Sequence, residues 1–253
     1  MSELRTFRNF RDMGGLICPD GRRIRRFKLF RAPTIAPQNQ ADWDFLDDLG
    51  LDVIVDLRDR EEREDRPDRL PAGCDYIPSP VLEEGKYKYI IVSRKAHLRL
   101  LFLKGKREGV VKAEKMASYR EMPFSDGFQA IFRCMDEGKT IAFHCTEGKD
   151  RTGMAAALIE FAFGRSYDQI LEEYLRSNVL RPAKDRRSLK YLGFSEELLQ
   201  DIHFCEETHE ELLMTFKAAA LAQYGSLTNY LEKQFAITPE RVERWKAIYL
   251  ENC

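Results

Sequence analysis

The chain has 253 residues, 43% hydrophobic and 33% charged, with a formal net charge of −1. This is an ordinary balance for a protein that buries a core, and it offers no general attraction for nucleic acid or a membrane surface. The charge is unevenly spread: Lys86 to Arg120 holds eleven Lys or Arg and two Glu, whereas Ser195 to Glu211 holds seven acids and no Lys or Arg.

In chain order, "NFRDMGGLICPDGRRIRRFKLFRA" reads as short extended segments around turns at Gly14-Gly15 and Pro19-Asp20-Gly21, with "RRIRRFKLF" returning as a strand. A helix is predicted over Gln40 to Leu49, closed by Gly50. "LDVIVDLR" carries the β-branched run Val53-Ile54-Val55, too short for a helix and suited to a buried strand. Asp59 to Arg66 spaces Asp59–Arg63 and Glu62–Arg66 as i,i+4 pairs on an exposed helix. "DYIPSPV" is strand-like, and the basic stretch at about 84–122 is a helical insertion and candidate lid. "SDGFQAIFRCMDEG" gives a helix ending at Gly138, with Asp126 as its expected cap. "KTIAFH" is a second buried strand and "MAAALIEFAFG" an apolar helix stopped at Gly164. From Tyr167 onward the pattern is helical, and Thr238-Pro239 opens a last helix. Helices alternating with short apolar strands imply an α/β fold with its sheet covered on both faces.

The histidines at 97, 144, 203 and 209 lack metal-ligand spacing, and the six cysteines form no CxxC pair. Neither a metal site nor a disulfide framework is expected. "MSELRTFRNF" has no apolar stretch for a signal peptide, and no apolar run approaches the roughly 18 residues of a membrane span, so a cytoplasmic chain is expected.

The chemistry concentrates in "FHCTEGKDRTG", residues 143–153. The loop joins a strand end to a helix N-terminus, where free backbone N–H groups and the helix dipole bind anions. Gly148 lets the backbone turn sharply or approach a ligand. Cys145 there would have its thiolate stabilised, and Arg151 can grip a phosphate with parallel hydrogen bonds. Cys145 is thus placed to attack phosphorus while the loop, through Thr146, Glu147, Gly148 and Lys149, and Arg151 hold the oxygens. Thr152 could hydrogen-bond the sulfur, and His144 orient the loop. A nucleotide-binding P-loop is ruled out, since Asp150 follows "GK" where Ser or Thr is needed and Phe143 stands where Gly is. Asp56, at a strand end, is a possible proton donor or else a helix cap or a partner for Arg58. Arg11 and Asp12 are expected to form an ion pair supporting the site.

"HCTEGKDRTG" resembles the signature loop of cysteine-dependent protein tyrosine phosphatases. With "NFRDMGG", "DLR" at 56–58, "LFRA" at 29–32, "EYLRSN" at 173–178 and "YGSLTNYLEKQFAITPE" at 224–240, the chain is similar to the atypical bacterial branch of tyrosine and phosphoinositide phosphatases along nearly its whole length. The resemblance implies one tyrosine phosphatase-like domain over 1–253, a central mostly parallel sheet flanked by helices, and no metal or organic cofactor. It implies Cys145 as nucleophile through a cysteinyl-phosphate, Arg151 as phosphate clamp, Asp150 as candidate general acid and Lys149 as a contact for extra substrate phosphates. The substrate would be a phosphotyrosine protein or a phosphoinositide. Met13, Ala32 and Glu147 depart from the usual pattern, and Glu147 is expected to point outward or pair with the basic segment. Two rivals remain: a phospho-ligand binding module with a dead site, and an arsenate-reducing or sulfur-transfer enzyme.

Overall fold

The computed structural model describes residues 7–87, 109–182 and 194–253. The N-terminal turns separate three short strands, β1 (Arg11–Asp12), β2 (Arg22–Ile24) and β3 (Leu29–Ala32). "RRIRRFKLF" is therefore two strands, because the chain turns at Phe27 with a left-handed φ of +61°. Helix α1 (Gln40–Asp48) begins at Asn39, whose side chain accepts from the Asp42 N–H, and Gly50 follows it at φ +58°. Strand β4 (Val53–Asp56), helix α2 (Arg60–Asp65) and strand β5 (Asp75–Pro78) come next.

Helix α3 (Val110–Glu121) lies in the basic segment; residues 88–108 of the expected insertion lie outside the described residues. Helix α4 (Gln129–Asp136) follows a turn capped by Ser125 rather than by the expected Asp126, which instead accepts from Gln129. Strand β6 (Ile141–His144) leads into α5 (Arg151–Ala162). The C-terminal half is helical: α6 (Tyr167–Leu180), α7 (Glu196–Glu206), α8 (Glu210–Tyr224), α9 (Leu227–Phe235) and α10 (Pro239–Tyr249). A short strand β7 (Leu250–Asn252), hidden behind the helical pattern, pairs with β2.

The main sheet runs β1-β3-β6-β4-β5, with β1 antiparallel and the rest parallel. Side chains alternate across it. Val53, Val55, Ile141 and Phe143 join one core with Met154 and Leu158 of α5, while Phe30, Ile54 and Ala142 join another with Leu46 of α1. Both faces are covered, as a parallel sheet requires. His144 is in register with Ala32 on one side and Asp56 on the other, so the parallel strands end together. That edge is where an α/β sheet presents its ligand site.

Helix α3 packs on α7 and α8, and its Val111 shares a small core with Phe194, Leu198 and Ile202. Lys112 Nζ sits 4.3 Å from the Phe204 ring centroid and 3.3 Å from Glu211, so the basic and acidic segments meet. Among the described residues no helix is long and apolar enough to cross a membrane.

Candidate active site

The loop at 145–150 is held from behind by its carbonyls. Thr34 donates to the Thr146 carbonyl from both its N–H and its hydroxyl, each at 3.2 Å. Asn9 Nδ2 donates to the Glu147 carbonyl at 3.0 Å and Arg31 Nη2 to that of Gly148 at 3.2 Å. With the carbonyls taken, the N–H groups of residues 146–150 have no partner among the described residues. This makes a concave nest of donors at a helix N-terminus, suited to an anion. Gly148 has φ +68°, and a Cβ there would come within 2.6 Å of the Ala32 carbonyl oxygen. The loop therefore needs glycine at this position. Arg11 and Asp12 do not pair with each other, contrary to expectation. Arg11 binds Glu173 at 2.5 Å and Asn9, whereas Asp12 accepts from the N–H groups of Gly14 and Phe27.

Cys145 is 2% exposed. Burial opposes ionisation of its thiol, but the Arg151 charge and hydrogen bonds from the Thr152 side chain and N–H outweigh it and hold the thiol below its ordinary value. Among the described residues the buried Thr152 hydroxyl has no other partner, which leaves it to the sulfur. His144 Nδ1 lies 3.2 Å from the Cys145 carbonyl oxygen.

The Arg151 guanidinium is clamped end-on by Glu62, Nη1 to Oε2 at 2.5 Å and Nη2 to Oε1 at 2.7 Å. Glu62 also accepts from the Thr146 hydroxyl at 2.5 Å and is 1% exposed. The expected exposed Glu62–Arg66 pair is thus wrong in partner and in burial, because the buried Arg151 competes for the carboxylate and wins. Burial pushes the Glu62 carboxyl up, and Arg151 more than reverses this, keeping it a carboxylate. The helix that carries it starts with a capping box, Asp59 accepting from the Glu62 N–H and Glu62 from the Asp59 N–H. The D-x-x-E spacing at 59–62 was the available signal for its inward orientation.

On the other side of the loop, Asp150 accepts from Lys115 Nζ at 2.6 Å and from the Tyr119 hydroxyl at 2.7 Å. Tyr119 in turn shares a hydroxyl contact of 2.7 Å with Tyr174. Burial disfavours the Asp150 charge, but Lys115 and then Lys149 outweigh it and hold the carboxyl well below the usual range. Lys115 and Tyr119 belong to α3, so the basic segment reaches the site; neither was anticipated. Lys149, expected as a contact for extra substrate phosphates, is engaged by the protein itself. The residue is 3% exposed, and its ammonium donates to the Cys205 carbonyl at 2.6 Å. Glu147 pairs with Arg181, not with the basic segment, and lies 3.8 Å from Lys149.

Of the roles open to Asp56, it takes that of a partner for Arg58. It is fully buried and accepts from Arg58 Nη2 and the Tyr76 hydroxyl, both at 2.6 Å. Arg58 Nη2 also donates to Asp68 at 2.5 Å, and Asp68 lies 3.2 Å from His144 Nε2. Asp56, Asp68 and His144 each offer an atom within 4.8 Å of the others, a spacing a metal could use. Arg58 already supplies the cation between the two carboxylates, so these groups are its partners rather than metal ligands.

The pattern defining the tyrosine phosphatase family matches residues 2–251. The chain belongs to the tyrosine phosphatase family. As a member it is a phosphoric monoester hydrolase with the mixed, mostly parallel sheet of that fold. A chain of Cupriavidus necator, whose name assigns it provisionally to the tyrosine-protein phosphatases, is 32% identical over 231 residues, covering 89% of this chain and 81% of the relative. The triple specificity protein phosphatase PtpB of Mycobacterium tuberculosis is 27% identical over 270 residues, covering 96% of each.

Proposed function

We propose that the protein hydrolyses phosphotyrosine on proteins through a cysteinyl-phosphate on Cys145. The observation that carries the reading is the Cys145 thiol, held below its ordinary value beneath Arg151 and beside a row of free loop N–H groups. The sulfur attacks phosphorus, the S–P bond forms, and the ester oxygen leaves with its electron pair. The loop N–H groups and Arg151 hold the three remaining oxygens. Thr152 steadies the thiolate as it leaves in the second step, when water attacks phosphorus and phosphate is released.

Asp150 is the candidate to move the protons. Held by Lys115, it rests as a carboxylate, ready to accept a proton from the attacking water. A phenolic leaving group, with a pKa of about 10, departs with less need of a donated proton than an alkoxide. This supports aryl phosphates over phosphoserine. The "triple specificity" in the name of PtpB supports a wider range here too, with phosphoinositides as the second class.

A dead binding module would not need a stabilised thiolate. Arsenate reduction needs a resolving thiol, and Cys205 makes a poor one, pushed up to about 11 by burial with its sulfur 3.7 Å from the Val111 carbonyl. The test is Cys145→Ser. Phosphate or vanadate binding should persist while turnover of an aryl phosphate falls on the order of 10⁴-fold or more. A phosphorylated cysteine should be trapped at 145 by rapid acid quench of the wild type. Turnover within about tenfold of wild type in Cys145→Ser would end the reading.

A further inference from the structure

His144 precedes the nucleophile, and its imidazole has a charged acceptor on one side and a carbonyl on the other. Nδ1 lies 3.2 Å from the Cys145 carbonyl oxygen. Nε2 lies 3.2 Å from Asp68 Oδ2 and 3.8 Å from Asp56 Oδ1, off the straight line of a full hydrogen bond. The ring is fully buried, so these contacts lie away from bulk solvent. Which nitrogen carries hydrogen has to be inferred from its neighbours. A lone pair on Nε2 would face two carboxylates, and a lone pair on Nδ1 would face a carbonyl oxygen. Both arrangements are repulsive, so both nitrogens carry a proton.

The charge count agrees. Asp56 and Asp68 bring two negative charges into a buried space, and Arg58 brings one positive charge to both, at 2.6 and 2.5 Å. Tyr76 donates to Asp56 and adds no charge. The balance closes only if His144 is the second cation.

Asp68 does more than face the ring. It accepts from the Ile35 N–H at 2.7 Å, next to Thr34, which grips the Thr146 carbonyl twice. Through Arg58 it reaches the Thr34 hydroxyl a second way, Nη1 to Oγ1 at 3.2 Å. Three routes thus run from one carboxylate to the back of the signature loop: through His144 to Cys145, through Ile35 to Thr34, and through Arg58 to Thr34.

We propose that Asp68 is a positioning residue that keeps His144 doubly protonated, and through it fixes the backbone of Cys145 and Thr146. Burial works against this proton; Asp68 first and Asp56 second overcome it and raise the imidazole above its ordinary value. The sign follows. The contribution of a raised group is fully present below the ordinary histidine pKa and is lost as pH rises through the folded value. When the proton leaves, one contact becomes repulsive, the loop loosens, and activity falls on the alkaline side.

The kinetic arm rests on Cys145 being the nucleophile; the spectroscopic arm does not. In the full-length wild type, ¹⁵N NMR of the His144 ring near neutral pH should show two protonated nitrogens. Asp68→Asn keeps the shape and an acceptor oxygen but removes the charge, so the ring should revert to a single neutral tautomer under the same conditions. With an aryl phosphate, the descending limb of kcat against pH should move to lower pH in Asp68→Asn. At neutral pH kcat should fall about tenfold with KM little changed, as expected for a displaced reacting group. A merely structural residue would lower the melting temperature and leave the ring's titration where it was. A neutral His144 ring in the wild type overturns the proposal by itself, even if Asp68→Asn fails to fold. An unchanged titration in a folded Asp68→Asn overturns it as well. If the ring behaves as expected and Cys145→Ser nevertheless turns over, the nucleophile assignment fails and the proposal about the ring stands.

Discussion

The two flanks of the signature loop are built on opposite electrostatic plans. On one flank a buried carboxylate, Glu62, holds the cation Arg151; on the other a buried cation, Lys115, holds the carboxylate Asp150. Each pair lies at 2.5–2.6 Å, and each anchor comes from a separate helix, α2 or α3. The first pair leaves the guanidinium fixed with N–H groups to spare, since Glu62 takes two of five. The second holds down the group best placed to carry a proton. One flank is therefore about geometry and the other about proton affinity, and breaking them should have different signatures.

The larger effect is expected on the Glu62 flank. Glu62→Gln keeps an acceptor for Thr146 but leaves Arg151 without its counter-charge. Breaking a buried pair in this way costs about 3 kcal/mol of stability, and a misaligned clamp should lower kcat/KM about 100-fold. A phosphate or vanadate anion would replace the missing charge on Arg151. The rise in melting temperature on adding vanadate should thus be greater in Glu62→Gln than in the wild type. An equal rise in both would mean that Arg151 and Glu62 are not coupled through the anion site.

Lys115→Met tests the other flank and should do less to the rate, within about tenfold. It retains most of the apolar stem and Tyr119 still donates to Asp150, so the stability loss should be about 2 kcal/mol. The pH behaviour separates the two flanks. Because Asp150 is depressed in the folded protein, its contribution to stability is present above the ordinary carboxylate value of about 3.9 and is lost as pH falls toward the folded value. Without Lys115 that acid-dependent loss should shrink, and the acidic limb of the rate profile should move to higher pH. A flatter dependence on leaving-group basicity should accompany the shift, since Asp150 would hold a proton more readily. An unchanged acidic limb would show that Asp150 does not set it.

The centre of this comparison was legible in the sequence and its supports were not. Val53–Val55 and "KTIAFH" declare two buried strands by composition, and the loop between a strand end and Arg151 marks Cys145 as the candidate nucleophile. Glu62 and Lys115 lie 89 and 35 residues from their partners by number, and their polar neighbours make them look like solvated surface charge. A charged side chain is read as exposed by default, and only a partner brought near by the fold overrides that. The same applies to Asp68, which sits in "RPDRL" as an ordinary turn residue. Strand β7 was hidden for another reason, since its pairing with β2 spans the whole chain and three residues carry no periodicity.

The smallest effect should come from Lys149, which lies inside the loop but outside both pairs. Its ammonium donates to the Cys205 carbonyl and stands 3.8 Å from Glu147 and 3.9 Å from Asp150. Burial lowers its proton affinity, and the Asp150 charge only partly offsets this. Lys149→Met would keep the buried stem and leave the Cys205 carbonyl unsatisfied, costing about 1–2 kcal/mol. Arg181 still neutralises Glu147, so the loop keeps its shape. The rate with an aryl phosphate should stay within about threefold, a change below 1 kcal/mol in barrier. If Lys149 remains on Cys205 during turnover, a phosphoinositide should lose no more than the aryl phosphate, and the salt dependence of kcat/KM should be unchanged for both. Selective loss of phosphoinositide hydrolysis would mean that the ammonium leaves Cys205 for the substrate, restoring the role that the "GKD" resemblance implies. Comparing the two substrates across salt in wild type and Lys149→Met therefore decides whether this cation belongs to the scaffold or to the binding site.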